Sequence, residues 1–329
     1  MEEGRMKAEL SAVRLLATSA AVAALVSCGG GGGSSSSGGG TPTIPSAPLV
    51  LTSANAQNVA GDATLAAIGA SSNGGGLFLA ADTRSSSVLP KTHVLSRLLM
   101  QEIDRLNLQS PSIIAAVVQT FPCAVGGSRS EDATQNSATV TFNNCSEATG
   151  ESISGSIAIS NITGAATSFS ASVSVNLTFS ATGFPDESFT GSFTMSLSTV
   201  GAVTTITLSG GEILTHTGTN FERLSSFTLV SSSDSSSLVT TDSVTLTYAS
   251  TEIGGSVTIT TTKPFETIDG RTFPHTGAIL IVGASGGKIR VTVLGDETLP
   301  APQVRIELDA DGDGTFETTL DRNWSDLTA

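Results

Sequence analysis

Residues 308–321 of the 329-residue chain read LDADGDGTFETTLD. Asp309, Asp311 and Asp313 alternate, Gly314 follows, and Glu317 stands three residues further on. Carboxylates at alternate positions of a tight loop converge on one point, and this D-x-D-x-D-G spacing suits Ca²⁺, a hard cation that takes about six to eight oxygens. Gly314 permits the sharp turn. The Thr315 carbonyl and the Glu317 carboxylate, directly or through water, would complete the shell. Such an ion would have a structural role, stapling the last hairpin.

The spacing departs from an EF-hand at Leu320, which stands where that loop has its bidentate Glu. The flanks VRIEL and FETTL read as strands rather than helices. The segment therefore resembles the strand-loop-strand calcium loops of extracellular β-proteins. A solvated acidic turn is the alternative, since Asp and Gly favour turns anyway. Without an ion, however, crowded carboxylates repel one another.

The other motifs carry less. GASGG (283–287) matches G-x-S-x-G and makes Ser285 a nominal nucleophile, but that elbow needs a strand before it and a helix after it. Here ILIV precedes and KIRVTV follows, so strand-turn-strand is expected. His93, His216 and His275 are the available bases, and none has an evident acidic orienter. No enzyme activity is expected, and a serine hydrolase is the weakest alternative. Glu131-Asp132 and Asp186-Glu187 read as solvated turns.

The elements that must hold the acidic loop are strands. ASVSVNLTFSAT (171–182) alternates apolar and hydroxyl side chains. The same period of two recurs at 189–197, 206–208, 244–248, 257–259, 289–293 and 304–308, with turn residues between the runs. Short alternating runs predict an antiparallel meander from about residue 137. The expected fold is all-β: a curved antiparallel meander or open barrel packed on an amphipathic helix, with a β-sandwich as the alternative. A membrane-spanning barrel would want aromatic girdles, yet aromatics are only 5 % of the chain. The helix is expected at 91–108, where Leu95, Leu99, Ile103 and Leu106 form one stripe. A weakly helical, Ala-rich stretch precedes it at Ser53–Ile68, and a short strand starts from Leu49.

The N-terminus supplies an address. Lys7 and Arg14 precede an apolar run, Leu15 to Val26, of signal-peptide length. Leu25-Val26-Ser27-Cys28 resembles the lipobox of bacterial lipoproteins. The resemblance implies cleavage before Cys28 and its lipidation and, since position 29 is Gly rather than Asp, the outer membrane as the default destination. A Gly/Ser tract follows, with no apolar side chains to bury, as a flexible tether requires. Four regions are expected: a leader (1–27), a linker (28–47), a partly helical segment packing on the sheet (48–110) and an antiparallel β domain (111–329). With Cys28 assigned, Cys123 and Cys145 form an even pair, which favours a disulfide in an oxidising compartment.

The net charge of −14 disfavours nucleic acid and anionic headgroups. The segment 123–146, KPFETIDGRTFPHTG (263–277) and the DADGDG ending before Trp324 resemble proteobacterial outer-membrane lipoproteins to which no activity attaches. The resemblance implies export and a β-rich body. The expected function is a lipid-anchored, non-catalytic envelope module. It would touch the membrane through its anchor and serve structure or bind an envelope protein. A carrier of a lipid-like ligand is the alternative.

Overall fold

The structure is a computed structural model, and it describes residues 43–71, 118–134, 136–146, 149–165 and 167–327. Fourteen strands form one sheet in which every strand pairs with its neighbours in sequence, from first to last. They are β1 (Gln119–Pro122), β2 (Gly126–Ala133), β3 (Ala138–Ser146), β4 (Glu151–Ala165), β5 (Ser168–Ala181), β6 (Glu187–Val200) and β7 (Val203–Thr217). The second half comprises β8 (Asn220–Asp234), β9 (Val239–Ser250), β10 (Gly255–Ile268), β11 (Thr276–Val282), β12 (Lys288–Val293), β13 (Val304–Asp309) and β14 (Thr318–Arg322). All pairings are antiparallel. β1 and β14 do not pair, so the sheet stays open. The all-β meander expected from the alternation is the observed architecture, and a two-sheet sandwich is not.

The period of two explains the faces. In β5 Ala171, Val173, Val175, Leu177 and Phe179 are buried, while the intervening Ser, Asn and Thr are half-buried or exposed. Cross-strand pairs extend that apolar face: Val173 faces Phe193, and Ile157 faces Val175. Register shifts interrupt several pairings, among them β4–β5, β6–β7 and β8–β9. Such bulges bend a strand and strengthen its twist, which curves the sheet.

One helix lies on this face among the described residues. It is α1 (Ala56–Ser71), and it packs against β8 through β13. The expected helix at 91–108 lies outside the described residues. Alanines let α1 sink between its neighbours: Ala56, Ala60, Ala63, Ala66 and Ala67 are at most 1 % exposed. The extended stretch before α1 docks where a short strand was expected. The Leu49 amide donates to the Ser256 carbonyl, and the Leu49 carbonyl accepts from Ala284. At the other end of the chain, α2 (Trp324–Leu327) closes over α1. Trp324 stacks on Phe273 with centroids 4.7 Å apart and donates Nε1–H to the Gly295 carbonyl at 2.9 Å. Arg322 Nε donates to Gln57 Oε1 at 3.0 Å, tying β14 to α1. The acidic loop between β13 and β14 thus hangs from a doubly anchored edge.

Candidate metal centre

β13 runs straight into the loop, and its last residue is Asp309. Alternation points Ile306 and Leu308 into the core, and Asp309 is itself wholly buried at the strand's end. The Glu317 amide donates to the Leu308 carbonyl, closing the loop before β14 begins. The segment from Asp309 to Glu317 therefore has fixed ends.

Inside it, each acid holds the backbone. Asp309 Oδ1 accepts from the Gly312 amide at 2.7 Å, and Oδ2 accepts from Gly314 at 3.0 Å. Asp311 Oδ1 accepts from the Asp313 amide, and Asp313 Oδ1 from the Thr315 amide. Glu317 Oε2 accepts from the Ala310 amide at 3.2 Å. These bonds draw the side chains over the loop. One oxygen from each of Asp309, Asp311, Asp313 and Glu317 lies within 4.8 Å of the others. Ligand oxygens about 2.3–2.6 Å from a shared ion are at most about 5 Å apart, so the four can belong to one shell. Among the described residues this is the one group of three or more His, Cys, Asp or Glu side chains so placed.

Asp309 differs from its partners, which are exposed. Burial pushes its carboxyl up, but the Gly312 and Gly314 amides and the Lys288 ammonium together hold it below the usual carboxylate range. Lys288 Nζ lies 3.4 Å from Asp309 Oδ2. The neighbouring turn presses on the loop as well. Gly312 has φ 79°, and a Cβ there would come within 2.8 Å of the Gly286 backbone. Beneath the loop, Arg290 makes a two-pronged pair with Glu307 at 2.7 and 2.8 Å and lies 4.2 Å from the Phe316 ring centroid. The arrangement can hold a metal ion through oxygen donors.

The other expected residues separate. Cys123 and Cys145 are bonded, with Cα atoms 5.4 Å apart, and Cys28 lies outside the described residues. Ser285 is exposed in a three-residue turn, Ala284–Gly286, that leads directly into β12. His275 precedes β11 and Ser285 follows it, so a seven-residue strand, roughly 20 Å long, lies between them. His275 Nε2 is 3.6 Å from Glu266, whereas His216 stacks on Phe221 and meets the Gly218 carbonyl at 2.8 Å. His93 lies outside the described residues.

Sequence reasoning missed a second acidic feature. Glu222 on β8 is 6 % exposed; Tyr248 donates to its Oε1 at 3.0 Å and Thr215 to its Oε2 at 3.2 Å. Burial pushes its carboxyl up to about 7 against those two hydrogen bonds, and the charge of Asp62 on α1 adds to the rise. Asp242 on β9, 2 % exposed, is likewise pushed up to about 7 by burial. The available signal was phase: Glu222 alternates with Leu224, and Asp242 with Val244, Leu246 and Tyr248. Compared with protein-family models, with curated proteins and with solved structures, the chain matches none of them.

Proposed function

We propose that the chain is a lipid-anchored envelope lipoprotein whose β-body is a non-catalytic structural or protein-binding module. In this reading Cys28 carries the lipid, the Gly/Ser-rich stretch after it is the leash, and the sheet is displayed outside the cytoplasm. The observation that carries it is the Cys123–Cys145 bond. Disulfides persist in oxidising compartments and are rare in the cytosol. That supports the export read from Leu25-Val26-Ser27-Cys28.

The ion at the acidic loop is Ca²⁺ in this reading. The donors are all hard oxygens, and a carbonyl from Thr315 would add to the four carboxylates. Its part is structural, holding the β13–β14 hairpin closed. The anchor is tested by expressing the full chain in a Gram-negative host fed labelled palmitate. The wild type should take up label and sediment with the envelope, and Cys28→Ser should do neither. An uncut, unlabelled wild type in the cytosol would overturn the reading.

A further inference from the structure

In an antiparallel meander successive turns fall at opposite rims of the sheet. The β6–β7, β8–β9, β10–β11 and β12–β13 turns share one rim; the β3–β4, β5–β6, β9–β10, β11–β12 and β13–β14 turns share the other. The two rims differ in chemistry. On the first, Val200, Val203, Leu238, Ile268, Leu294 and Leu299 are exposed, Val200 to 75 % and Leu238 to 57 %. On the second, Glu151, Asp186, Glu252, Asp311, Asp313 and Glu317 are exposed. The apolar residues of the first rim are contiguous. Val200 faces Val203, Val203 faces Asp234, Asp234 faces Val239 and Val239 faces Ile268. That row crosses five strands, roughly 19 Å. The turns along it are tied to one another: the Ser235 amide donates to the Ala202 carbonyl, the Asp269 amide to the Leu238 carbonyl and the Thr272 amide to Glu297. Acids on this rim are turned back onto their own loops, Asp234 accepting from Ser236 and Asp296 from Thr298. Single exposed valines and leucines need no explanation, but a tied, contiguous ledge of them marks a contact surface.

We propose that this ledge dips into the interface of the bilayer that holds the Cys28 lipid. The inference rests on the anchor reading above and adds a second contact to it. Chain length permits the arrangement. The Ser46 and Ala47 carbonyls accept from Ser256 at the start of β10, on the acidic rim. About 18 residues separate Ser46 from Cys28 and extend to at most about 60 Å. The 15-residue strands β7 and β8 are about 50 Å tall. The anchor therefore reaches the bilayer even when the acidic rim is held away from it. Charge favours that orientation, because anionic headgroups repel the acidic rim and not the aliphatic one. Size selects a bilayer over a partner protein or a second copy. A row one side chain wide and roughly 19 Å long falls far short of the ~800 Å² that each partner of a stable protein interface buries. A tether raises the effective concentration of the ledge at the membrane, so a small contact suffices there. Without the lipid it is too small to hold the chain, as the Cys28→Ser outcome above requires. The contact is shallow, since the turns carry backbone groups that need water. The side chains enter, and the turns stay among the headgroups.

The test places an environment-sensitive fluorophore on the full chain, made in a Gram-negative host fed labelled palmitate and reconstituted in phosphatidylcholine vesicles containing a headgroup-spin-labelled lipid. Val200→Cys supplies one reactive thiol, because Cys123 and Cys145 are bonded and the Cys28 sulfur is acylated in this reading. Ile268→Cys is a second probe site on the same row, and Asp186→Cys reports from the acidic rim. The spin label should quench the probe at 200 or 268 at least threefold more than the probe at 186. Leu238→Asn combined with Thr in place of Ile268 should abolish that excess at 200, while palmitate and vesicle binding stay. Palmitate-bearing, vesicle-bound protein with equal quenching at 200 and 186 would overturn the ledge and leave the anchor standing. So would quenching untouched by the double variant, or a probe at 200 that becomes shielded in detergent as protein concentration rises, which would mean that a second copy covers the rim. A chain with neither palmitate nor vesicle binding would overturn both readings.

Discussion

Asp309 and its three partners divide the work of the loop. Asp309 is buried and committed to the Gly312 and Gly314 amides and to Lys288. Asp311, Asp313 and Glu317 are exposed and keep an oxygen near the common centre. Replacing Asp311 and Asp313 by Asn retains the side-chain oxygens that accept from Asp313 and Thr315 but removes two charges. The loop should therefore keep its shape and lose its capacity to hold an ion. In metal-free buffer the double variant should melt no lower than the wild type, because crowding of like charges is relieved. Calcium at about 100 times its dissociation constant would stabilise the wild type by about 2.7 kcal/mol. That corresponds to a rise of several degrees in melting temperature. The variant should gain almost nothing. Wild-type melting curves that coincide in calcium and in chelator would remove the ion from the account.

At the scale of elements, the Cys123–Cys145 bond ties the β1–β2 edge to β3 across 22 residues of chain. β2, with the sequence GGSRSEDA, brings no large apolar side chain to the core, so its place depends on backbone pairing and on this staple. Cys123→Ser should cost about 3 kcal/mol in the chain-entropy model. Hydrogen exchange should rise in β1–β3 and stay unchanged in β9–β13; a uniform rise would show that the bond does not act locally. The same physics explains which elements were legible. β5, β6, β12 and β13 bury one face and alternate cleanly, so their period appears in the residues. β8 was hidden because Ser226, at φ 50°, sits in a bulge. Leu224 and Phe227 both point inward, three residues apart, and the period of two breaks between them. β2 was hidden for lack of apolar residues. The acidic loop was legible because its carboxylates are contiguous in sequence. The Glu222 cluster assembles from β7, β8, β9 and α1, and pairings between strands cannot be read from spacing.

For the whole molecule, the buried and the hydrogen-bonded carboxyls pull stability in opposite directions with pH. Asp234 and Asp296 are held below the usual range by hydrogen bonds from Ser236 and Thr298, and Glu307 and Asp321 by bonds from Arg290 and Arg305. Asp309 is also low, for the reasons given above. Their contribution is present above the ordinary carboxylate range and is lost as pH falls below it. Glu222 and Asp242 act the other way. Their native carboxyls keep protons that the unfolded chain has already released, so their contribution falls away as pH rises from the ordinary range to about 7. Glu222 is worth about 3 kcal/mol and Asp242 about 4 kcal/mol at full extent. The melting temperature in metal-free buffer should therefore peak near pH 4 to 5, about where the two sets cross, and fall by roughly ten degrees towards pH 8. Glu222→Gln combined with Asp242→Asn carries no proton to lose at these sites, and its curve should fall far less from pH 5 to 8 than the wild type's. General repulsion from the acidic surface is common to both proteins, so it cannot produce that difference. A wild-type curve flat over the same interval, or a slope equally steep in the double variant, would refute the assignment. Ionised Glu222 also faces the charge of Asp62 on α1. Loosening at alkaline pH should accordingly begin where α1 leaves β8, with amide exchange rising in Ala56–Ser71 before it rises in the strands.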